Sequence, residues 1–364
     1  MKNKILTGLL LVLIGGWGSL SAQSAGSNYA RQVNTLIGTK GVGLTSGYLY
    51  PGATYPYGMV QFTPSYFSKR SGFVINQLSG GGCEHMGNFP TFPVKGKLKM
   101  SPDNILNYRI NISEEKGHAG YYEAKVQEDI HAKLTVTERT GMASYEYPAD
   151  QQYGTVIIGG GISATPIEQA AIVITAPNKC EGYAEGGYFC GIRTPYKVYF
   201  VAEFDTDALE TGTWKRNELK PNSSFAEGEY SGVYFTFDVS KKKNVQYKIG
   251  VSYVSVENAR ENLKAENTGW DFLQIQNQAE SKWNHYLGKI EVEGTNPDRT
   301  TQFYTHLYRS FIHPNVCSDV NGEYMGADFR VHKSRSKHYT SFSNWDTYRT
   351  QIQLLSILDP EVAS

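Results

Sequence analysis

The chain lacks an excess of charge of either sign and has few charged residues altogether. Of its 364 residues, 35 are Lys or Arg and 35 are Asp or Glu, so the formal net charge is zero. Binding to nucleic acid or to an anionic membrane surface requires a basic surface, so this balance argues against both partners. Charged residues make up only 19% of the chain, and the composition as a whole excludes a disordered, coiled-coil or collagen-like protein.

Long hydrophobic runs are also lacking, apart from one short stretch near the N-terminus. Lys2 and Lys4 precede an apolar segment at 5–17, and small residues follow up to Ala22. This order is typical of a secretory signal peptide, so we expect residues 1–22 to be removed and the protein to be exported, periplasmic or secreted. An N-terminal membrane anchor is the alternative, but the run is too short to span a bilayer comfortably. We expect no membrane partner after cleavage.

Cysteines are scarce, and their spacing does not match a zinc site. The chain has four, at Cys83, Cys180, Cys190 and Cys317. An exported protein meets an oxidising compartment, where disulfides persist. Cys180 and Cys190 flank a glycine-containing segment, so a local bridge between them is one alternative and two unbridged thiols are the other.

Aromatic residues and glycine, in contrast, are abundant, and apolar residues alternate along much of the chain. Aromatics make up 13% of the residues, and 37 residues are Gly. Period-two alternation at 233–239 and 247–253 predicts strands with one buried face, and the nearly continuous apolar run at 196–204 predicts a core strand. Many such strands between turn signals predict a large antiparallel β-sandwich over residues 28–260.

The pattern changes to helical spacing near Asn258. Apolar residues from Phe272 to Tyr286 recur at intervals of three and four, which predicts an amphipathic helix in a helical linker at 261–294. A second stripe follows Asn296-Pro297, a pair that predicts an N-cap with proline at the first helical position. A mainly β domain is thus followed by helices at 295–364. Because these helices cannot close a core alone, we expect them to begin an incomplete helical domain.

Two glycine-containing motifs have simple structural interpretations. The segment Gly159–Ala164 fits the dinucleotide pattern G-x-G-x-x-G/A, but the sequence that follows predicts another strand rather than the required helix. We therefore interpret it as a loop between strands. The segment Asp319–Gly322 resembles part of a calcium loop but lacks the remaining ligand spacing, so we interpret Asn321-Gly322 as a tight hairpin turn.

Two other segments contain candidate binding residues. Glu84 and His85 follow a run of small residues in the segment 79–88, and polar groups on such loops are often functional. An ordinary surface loop is the alternative. Trp345 and Asp346 stand together at 342–349; an indole can stack on a pyranose ring while a carboxylate accepts two hydroxyl groups. The alternative is that the aspartate caps a helix while the tryptophan packs inside.

At these residues the sequence resembles glycoside hydrolase family 92, the calcium-dependent exo-acting α-mannosidases. The resemblance covers nearly all of the chain after residue 32. It is most specific in the strings P-G-A-T-Y-P-Y-G-M at 51–59 and W-D-T-Y-R at 345–349, with further matches at Gly82-Cys83 and at 189–191. The family architecture is a β-sandwich, a helical linker and an (α/α)₆ barrel, so the resemblance implies that residues 295–364 begin a truncated barrel.

The resemblance also implies a function and the residues that bind substrate. It implies an inverting exo-α-mannosidase that removes terminal mannose from mannose-containing glycans, with α-1,2 as the expected linkage. The resemblance places Asp346, Trp345, Glu84 and His85 at the substrate. It places the catalytic acid, the catalytic base and the Ca²⁺ ligands beyond Ser364, so we expect no catalytic residue and no metal ligand in this chain. The alternative is a catalytically incompetent fragment or a carbohydrate-binding sandwich module.

Overall fold

Two large sheets contain most of the strands. The computed structural model describes residues 28–39, 49–65, 72–103, 111–340 and 344–363. In one sheet lie β1 (Ala53–Thr54), β2 (Gln61–Pro64), β3 (Phe73–Val74), β4 (Thr91–Lys95), β9 (Tyr153–Ile158), β13 (Glu210–Lys215), β14 (Glu218–Pro221) and β16 (Ser231–Asp238). In the other lie β5 (Ile112–His118), β6 (Tyr121–Val126), β7 (Ile130–Val136), β8 (Thr140–Glu146), β10 (Ile167–Ala176), β11 (Lys179–Phe189), β12 (Ile192–Phe204), β15 (Phe225–Glu227) and β17 (Asn244–Ser252). The predicted signal peptide at 1–22 lies outside the described residues.

The two sheets pack face to face around an aromatic core. Their strand orders are β1-β2-β3-β4-β9-β16-β13-β14 and β15-β10-β11-β12-β17-β8-β7-β6-β5, and the pairs are antiparallel. Phe204 of β12 lies against Phe235 and Phe237 of β16, with ring centroids 4.8 Å and 5.1 Å apart. Because these strands belong to different sheets, the contact joins them, and each buried ring contributes roughly 1.5–3 kcal/mol. The predicted antiparallel β-sandwich is confirmed.

The second half of β17 is buried on both faces, although its alternation predicts one. Residues 247–252 are all buried. Helix α2 (Val256–Glu266) covers the face that would otherwise meet solvent, and a Cβ at Gly250 would lie 2.7 Å from Leu263 of this helix. The prediction of a single buried face is therefore wrong here, because the next element in the chain folds back onto the sheet.

Helices and short strands form the rest of the described chain. The helices besides α2 are α1 (Tyr29–Gln32), α3 (Phe272–Leu287), α4 (Pro297–Ser310), α5 (Asn344–Thr347), α6 (Gln351–Leu358) and α7 (Pro360–Ala363). The short strands are β18 (Asn315–Val316), β19 (Glu323–Met325), β20 (Val331–Lys333) and β21 (Tyr339–Thr340). Asn296 caps α4 as predicted, since its side chain accepts from the backbone N–H of Asp298 at 3.0 Å. No helix among the described residues is long and apolar enough to cross a membrane.

A second core joins the helices to the edge of the sandwich. Trp283 of α3 packs on Tyr308 of α4 with ring centroids 4.5 Å apart. The indole Nε1 of Trp283 donates a hydrogen bond to the backbone oxygen of Thr54 in β1 at 2.7 Å. Because the Trp283 side chain is fully buried, this contact fixes both helices against the sandwich. The predicted domain boundaries at 260 and 294 stay a prediction.

A buried polar cluster holds the segment after α4 against the sandwich. The carboxylate of Asp319 accepts hydrogen bonds from Ser252 Oγ at 2.6 Å, Asn258 Nδ2 at 2.9 Å and Asn262 Nδ2 at 2.6 Å. Burial raises the pKa of Asp319 above its usual range, although these donors act in the opposite direction. The cluster joins β17, α2 and the segment that follows α4, so it fixes their relative positions.

The turns around the two glycine-containing motifs are only partly as predicted. The loop after β9 leads to strand β10, so the interpretation of Gly159–Ala164 as a loop between strands is confirmed. Asn321-Gly322 precedes β19 instead of connecting two strands. The hairpin of β19 and β20 turns at 326–330, where Gly326 N donates to the Arg330 oxygen at 2.8 Å. Gly322 N donates to the Asp319 oxygen at 2.9 Å, so a tight turn at Asn321-Gly322 is confirmed, but its prediction as the turn of a hairpin is wrong.

Candidate functional site

The loop at 78–88 is folded around His85. The Nε2 atom of His85 accepts a hydrogen bond from the Leu78 backbone N–H at 2.8 Å, and Nδ1 donates to the Cys83 oxygen at 2.6 Å. The imidazole is buried, and this burial lowers the pKa of His85 to about 4. His85 is therefore neutral near neutral pH, and both of its ring nitrogens stabilise the loop. Glu84, by contrast, is exposed to solvent.

A disulfide between Cys83 and Cys190 ties this loop to the turn between β11 and β12. Cys180, which is free and buried, lies on β11 opposite Ala202 with its side chain in the sandwich core. The possible Cys180–Cys190 bridge is therefore wrong. Ten residues of extended strand would separate its two cysteines by about 30 Å, far beyond the reach of a disulfide.

Asparagine and tyrosine side chains hold the far end of the loop. Asn88 N donates to Asn76 Oδ1 at 2.9 Å, and Asn76 Nδ2 donates to Asn88 Oδ1 at 3.0 Å. The hydroxyl of Tyr196 on β12 also donates to Asn88 Oδ1, at 2.6 Å. Since all three residues connect to strands or their ends, the loop is anchored to both sheets.

His313 connects the near end of the loop to the helical segment. Its Nε2 accepts from the Ser79 backbone N–H at 3.3 Å, and its Nδ1 donates to Asn315 Oδ1 at 2.8 Å. The His313 backbone oxygen accepts from Gln351 Nε2 of α6 at 3.3 Å. His313 and Thr347 of α5 line the same small cavity of about 170 Å³. His313 therefore joins the loop to α6 by hydrogen bonds and borders the same cavity as α5.

Trp345 and Asp346 lie on the short helix α5. The Trp345 side chain is 81% exposed, and Asp346 is also exposed. Within the 364-residue chain, therefore, Trp345 does not pack inside. The N-cap of the longer helix α6 is Thr350, so Asp346 does not cap that helix. Residues 341–343, which precede α5, lie outside the described residues.

A cavity of about 550 Å³ borders the loop. Most of its lining is apolar, as shown by Leu78, Met86, Tyr196, Tyr253, Met325 and Phe329. Glu185 and Lys197 also line it and form an ion pair at 3.3 Å. A ligand on this side of the loop would therefore meet apolar surface and one ion pair.

The described residues do not fit a calcium site. Within the part of the chain that the structure describes, no three His, Cys, Asp or Glu side chains converge as metal ligands. Calcium prefers six to eight oxygen ligands, and Asp319 receives its contacts from amide and hydroxyl donors instead. We therefore derive no step through calcium from these residues.

Sequence reasoning missed the residues that organise the site. His313 lies after the end of α4 and holds the loop, and no motif in the sequence indicates this contact. No local pattern points to Asn88 or Tyr196 either. Their contacts with the loop and with each other span up to 234 positions in sequence, and no local pattern predicts contacts at that separation.

The sequence matches two models of one glycosidase family. Residues 32–252 match the glycosyl hydrolase family 92 N-terminal domain, and residues 258–364 match the family 92 catalytic domain. An uncharacterized secreted glycosidase of Arthroderma benhamiae is 27% identical, over 88% of this chain and 45% of that protein.

Solved structures of the same family have the same fold. The family GH92 α-mannosidase BT3965 from Bacteroides thetaiotaomicron is 26% identical, with a TM-score of 0.81 over 90% of this chain and 47% of that one. Its complex with mannoimidazole matches with a TM-score of 0.80 and 26% identity, over 90% of this chain and 46% of that one. The chain spans about half the length of these relatives. Because the N-terminal domain model alone matches more than half of the chain, the chain belongs to glycosyl hydrolase family 92.

Proposed function

We propose that this chain forms the sandwich side and part of the mannose-binding site of an exported exo-acting α-mannosidase. The observation that carries the proposal is the exposed Trp345-Asp346 pair on α5, in a chain whose anchored loop also exposes Glu84. The 26% identical BT3965 is described as an α-mannosidase, and its structure with mannoimidazole supports a mannose-like ligand.

In this proposal, Asp346 and Trp345 bind the terminal mannose. The Asp346 carboxylate accepts hydrogen bonds from two sugar hydroxyls, each worth about 1.5–3 kcal/mol because the acceptor is charged. The indole of Trp345 offers a flat apolar surface to the C–H face of the ring. Both side chains are exposed on α5, so a sugar can reach them without displacing packed residues.

Glu84 contacts the leaving-group sugar, and His85 contributes by holding the loop in place. An exposed carboxylate between two constrained neighbours can accept hydroxyl hydrogen bonds at a defined position. The proposed linkage is α-1,2, and the proposed partners are mannose-containing glycans outside the cytoplasm. The secreted glycosidase of Arthroderma benhamiae and the signal-peptide pattern at 1–22 support export.

The proposed reaction is hydrolysis with inversion at the anomeric carbon. A carboxylic acid protonates the leaving oxygen while a carboxylate on the opposite face activates water, and the two are separated by roughly 6.5–9.5 Å. We assign neither role to a described residue, so the chain supplies substrate contacts and not the proton transfers. The chain spans 47% of BT3965, so we expect the 364-residue chain alone to release no mannose.

The direct test compares the 364-residue chain with the protein encoded by the complete reading frame of the gene, which we call the whole-frame protein. The quantity measured is hydrolysis of α-mannosides. We expect the whole-frame protein to release mannose from α-1,2-mannobiose and not from the β-linked or gluco-configured analogues. Proton NMR during the first turnovers should show β-mannose, because inversion converts the α-linkage into the β-anomer. Release of α-mannose would contradict inversion, and failure to cleave any α-mannoside would contradict the proposed function.

A further inference from the structure

The strands β11 and β12 form a long arm whose tip supports the candidate loop. Their two-residue connection consists of Cys190 and Gly191, which both have positive φ angles, of 50° and 79°. Phe189 and Ile192 pair directly before and after it. The guanidinium of Arg193 donates to both carboxylate oxygens of Glu168 on β10, at 2.6 Å and 2.7 Å. A third strand therefore braces the tip of the arm.

The tip of the arm contacts both neighbours of Glu84. Cys83 is bonded covalently to Cys190. The ring of His85 lies against the ring of Phe189, with centroids 5.9 Å apart. The residues on either side of Glu84 are thus fixed to the same two-strand arm, while the carboxylate between them is exposed to solvent.

The loop has little support elsewhere on its exposed side. A Cβ at Gly80 or Gly82 would have no atom within 4 Å, so these residues stand in open space. Gly80 also has a positive φ of 81°, a conformation that glycine adopts readily. Glycines on both sides of Gly81 give the backbone freedom that packing does not remove. On the Cys83 side of Glu84 the loop is constrained by the disulfide and by the hydrogen bond from His85 Nδ1 to the Cys83 oxygen.

We propose that the Cys83–Cys190 disulfide is a positioning device that sets where Glu84 meets the leaving-group sugar. The part of this proposal that concerns substrate rests on the proposed function, whereas the part that concerns loop position does not. A displacement of about 1 Å at a binding group can cost up to about a hundredfold in rate. Loss of the tether should therefore affect substrates with a sugar leaving group more than substrates without one.

The first experiment measures loop position in the 364-residue chain and needs no activity. A glutamyl endopeptidase cleaves after exposed glutamates in flexible segments, so cleavage after Glu84 reports release of the loop. Cleavage after Glu293, which is exposed in the segment between α3 and α4, serves as the internal reference. We expect dithiothreitol to raise the Glu84-to-Glu293 cleavage ratio by about tenfold, because reduction releases the loop and makes local opening easier. The same rise should occur without reductant in the Cys83→Ser/Cys190→Ser variant.

The Cys317→Ser variant is the matched thiol control. Cys317 is a free cysteine, so its replacement removes a thiol without touching the loop tether. The reductant should still raise cleavage after Glu84 in this variant. A cleavage ratio that dithiothreitol leaves unchanged in the wild type would overturn the proposal, because the loop would then hold its position without the disulfide.

The second experiment measures kcat/KM of the active whole-frame protein on α-1,2-mannobiose and on p-nitrophenyl α-mannoside. The Cys83→Ser/Cys190→Ser variant should lose roughly tenfold more on mannobiose than on the aryl substrate. In a Glu84→Gln background this difference should disappear, because the tether acts through Glu84. Equal losses on both substrates would show a general stability effect and overturn the positioning role. If the wild type hydrolyses neither mannoside, the proposed function fails. The proteolysis experiment still decides whether the disulfide sets the position of the loop.

Discussion

The 78–88 loop and helix α5 present the predicted substrate-binding residues in opposite ways. The loop is held by a disulfide, by a buried neutral His85 and by the Asn76–Asn88 pair, and it exposes Glu84. Helix α5 has only four residues, and Trp345 and Asp346 on it are both exposed. The loop therefore depends on its own contacts for its geometry, whereas the α5 pair is exposed and is proposed to contact the ligand. Substitutions should accordingly affect stability in the loop and substrate binding in α5.

The largest expected effect is on catalysis by Asp346→Ala. Loss of two charge-assisted hydrogen bonds to the sugar should lower kcat/KM of the whole-frame protein by roughly 10²- to 10⁴-fold, if the bonds strengthen in the transition state. The melting temperature should stay within about 2 °C of the wild type, because an exposed side chain contributes little to stability. Steady-state kinetics and calorimetry on the same preparation check both values.

If Asp346→Ala lowered stability and left activity nearly unchanged, α5 and the 78–88 loop would no longer differ in the effect of substitutions. A side chain that caps α5 would contribute about 1 kcal/mol to stability and little to kinetics. A lowered melting temperature with nearly normal kcat/KM would therefore assign Asp346 a structural role. Asp346→Asn, which keeps the shape but not the charge, separates the contribution of charge from that of size.

A second expected effect is acid-induced opening of the loop. Burial lowers the pKa of His85 to about 4, while an opened loop restores its ordinary value near 6.5. The open state then binds protons more readily than the closed state. The free energy needed to open the loop therefore has its full value above pH 6.5 and decreases as the pH falls toward 4. At pH 5 the opening equilibrium should rise roughly thirtyfold, or about 2 kcal/mol. Hydrogen exchange of residues 79–87, corrected for intrinsic rates, measures this change.

His85→Asn provides the control for the acid effect. Asparagine does not titrate, so most of the pH dependence should vanish in this variant. Some should remain, because burial also lowers the pKa of His313, which contacts the same loop. An unchanged pH dependence in His85→Asn would show that another group opens the loop.

The smallest expected effect is that of Trp345→Ala on stability. The side chain is 81% exposed, so its removal should change the unfolding free energy of the 364-residue chain by less than about 0.5 kcal/mol. Its loss should weaken sugar binding by up to about tenfold, since an aromatic stacking contact contributes about 0.5–1.5 kcal/mol. Chemical denaturation and calorimetric titration check the two values. A destabilisation above about 2 kcal/mol would place Trp345 among packed residues. It would contradict the difference drawn between the 78–88 loop and α5.

Local patterns predicted most of the fold. The spacing of Ile275, Ala279 and Trp283 places them on one helix face, and all three are buried in α3. The Asn296-Pro297 pair predicts the start of α4 because its signal lies within a few residues. The prediction failed for β17, where a helix from the following segment covers the outer face and removes the expected alternation in exposure.

The candidate site was predicted less completely, because its organisation depends on distant contacts. The local segments singled out Glu84 and Asp346, and the resemblance to the family assigned them to the substrate. The structure places both on the surface of the 364-residue chain. The partner of Cys190 lies 107 positions away, so spacing along the chain suggested only a local bridge to Cys180, which was one of two alternatives. His313 meets Ser79 only after the helices dock on the sandwich, so no neighbouring residue indicates its role.

Calorimetric titration with mannoimidazole tests the central claim most directly. The whole-frame protein and its Asp346→Ala variant would be titrated in parallel, with Trp345→Ala and a gluco-configured imidazole as comparisons. The account predicts saturable binding by the wild type, at least a tenfold weaker Kd for Asp346→Ala, and weaker binding of the gluco-configured ligand. Equal Kd values for the wild type and Asp346→Ala would contradict the assignment of this carboxylate to the mannose-binding site.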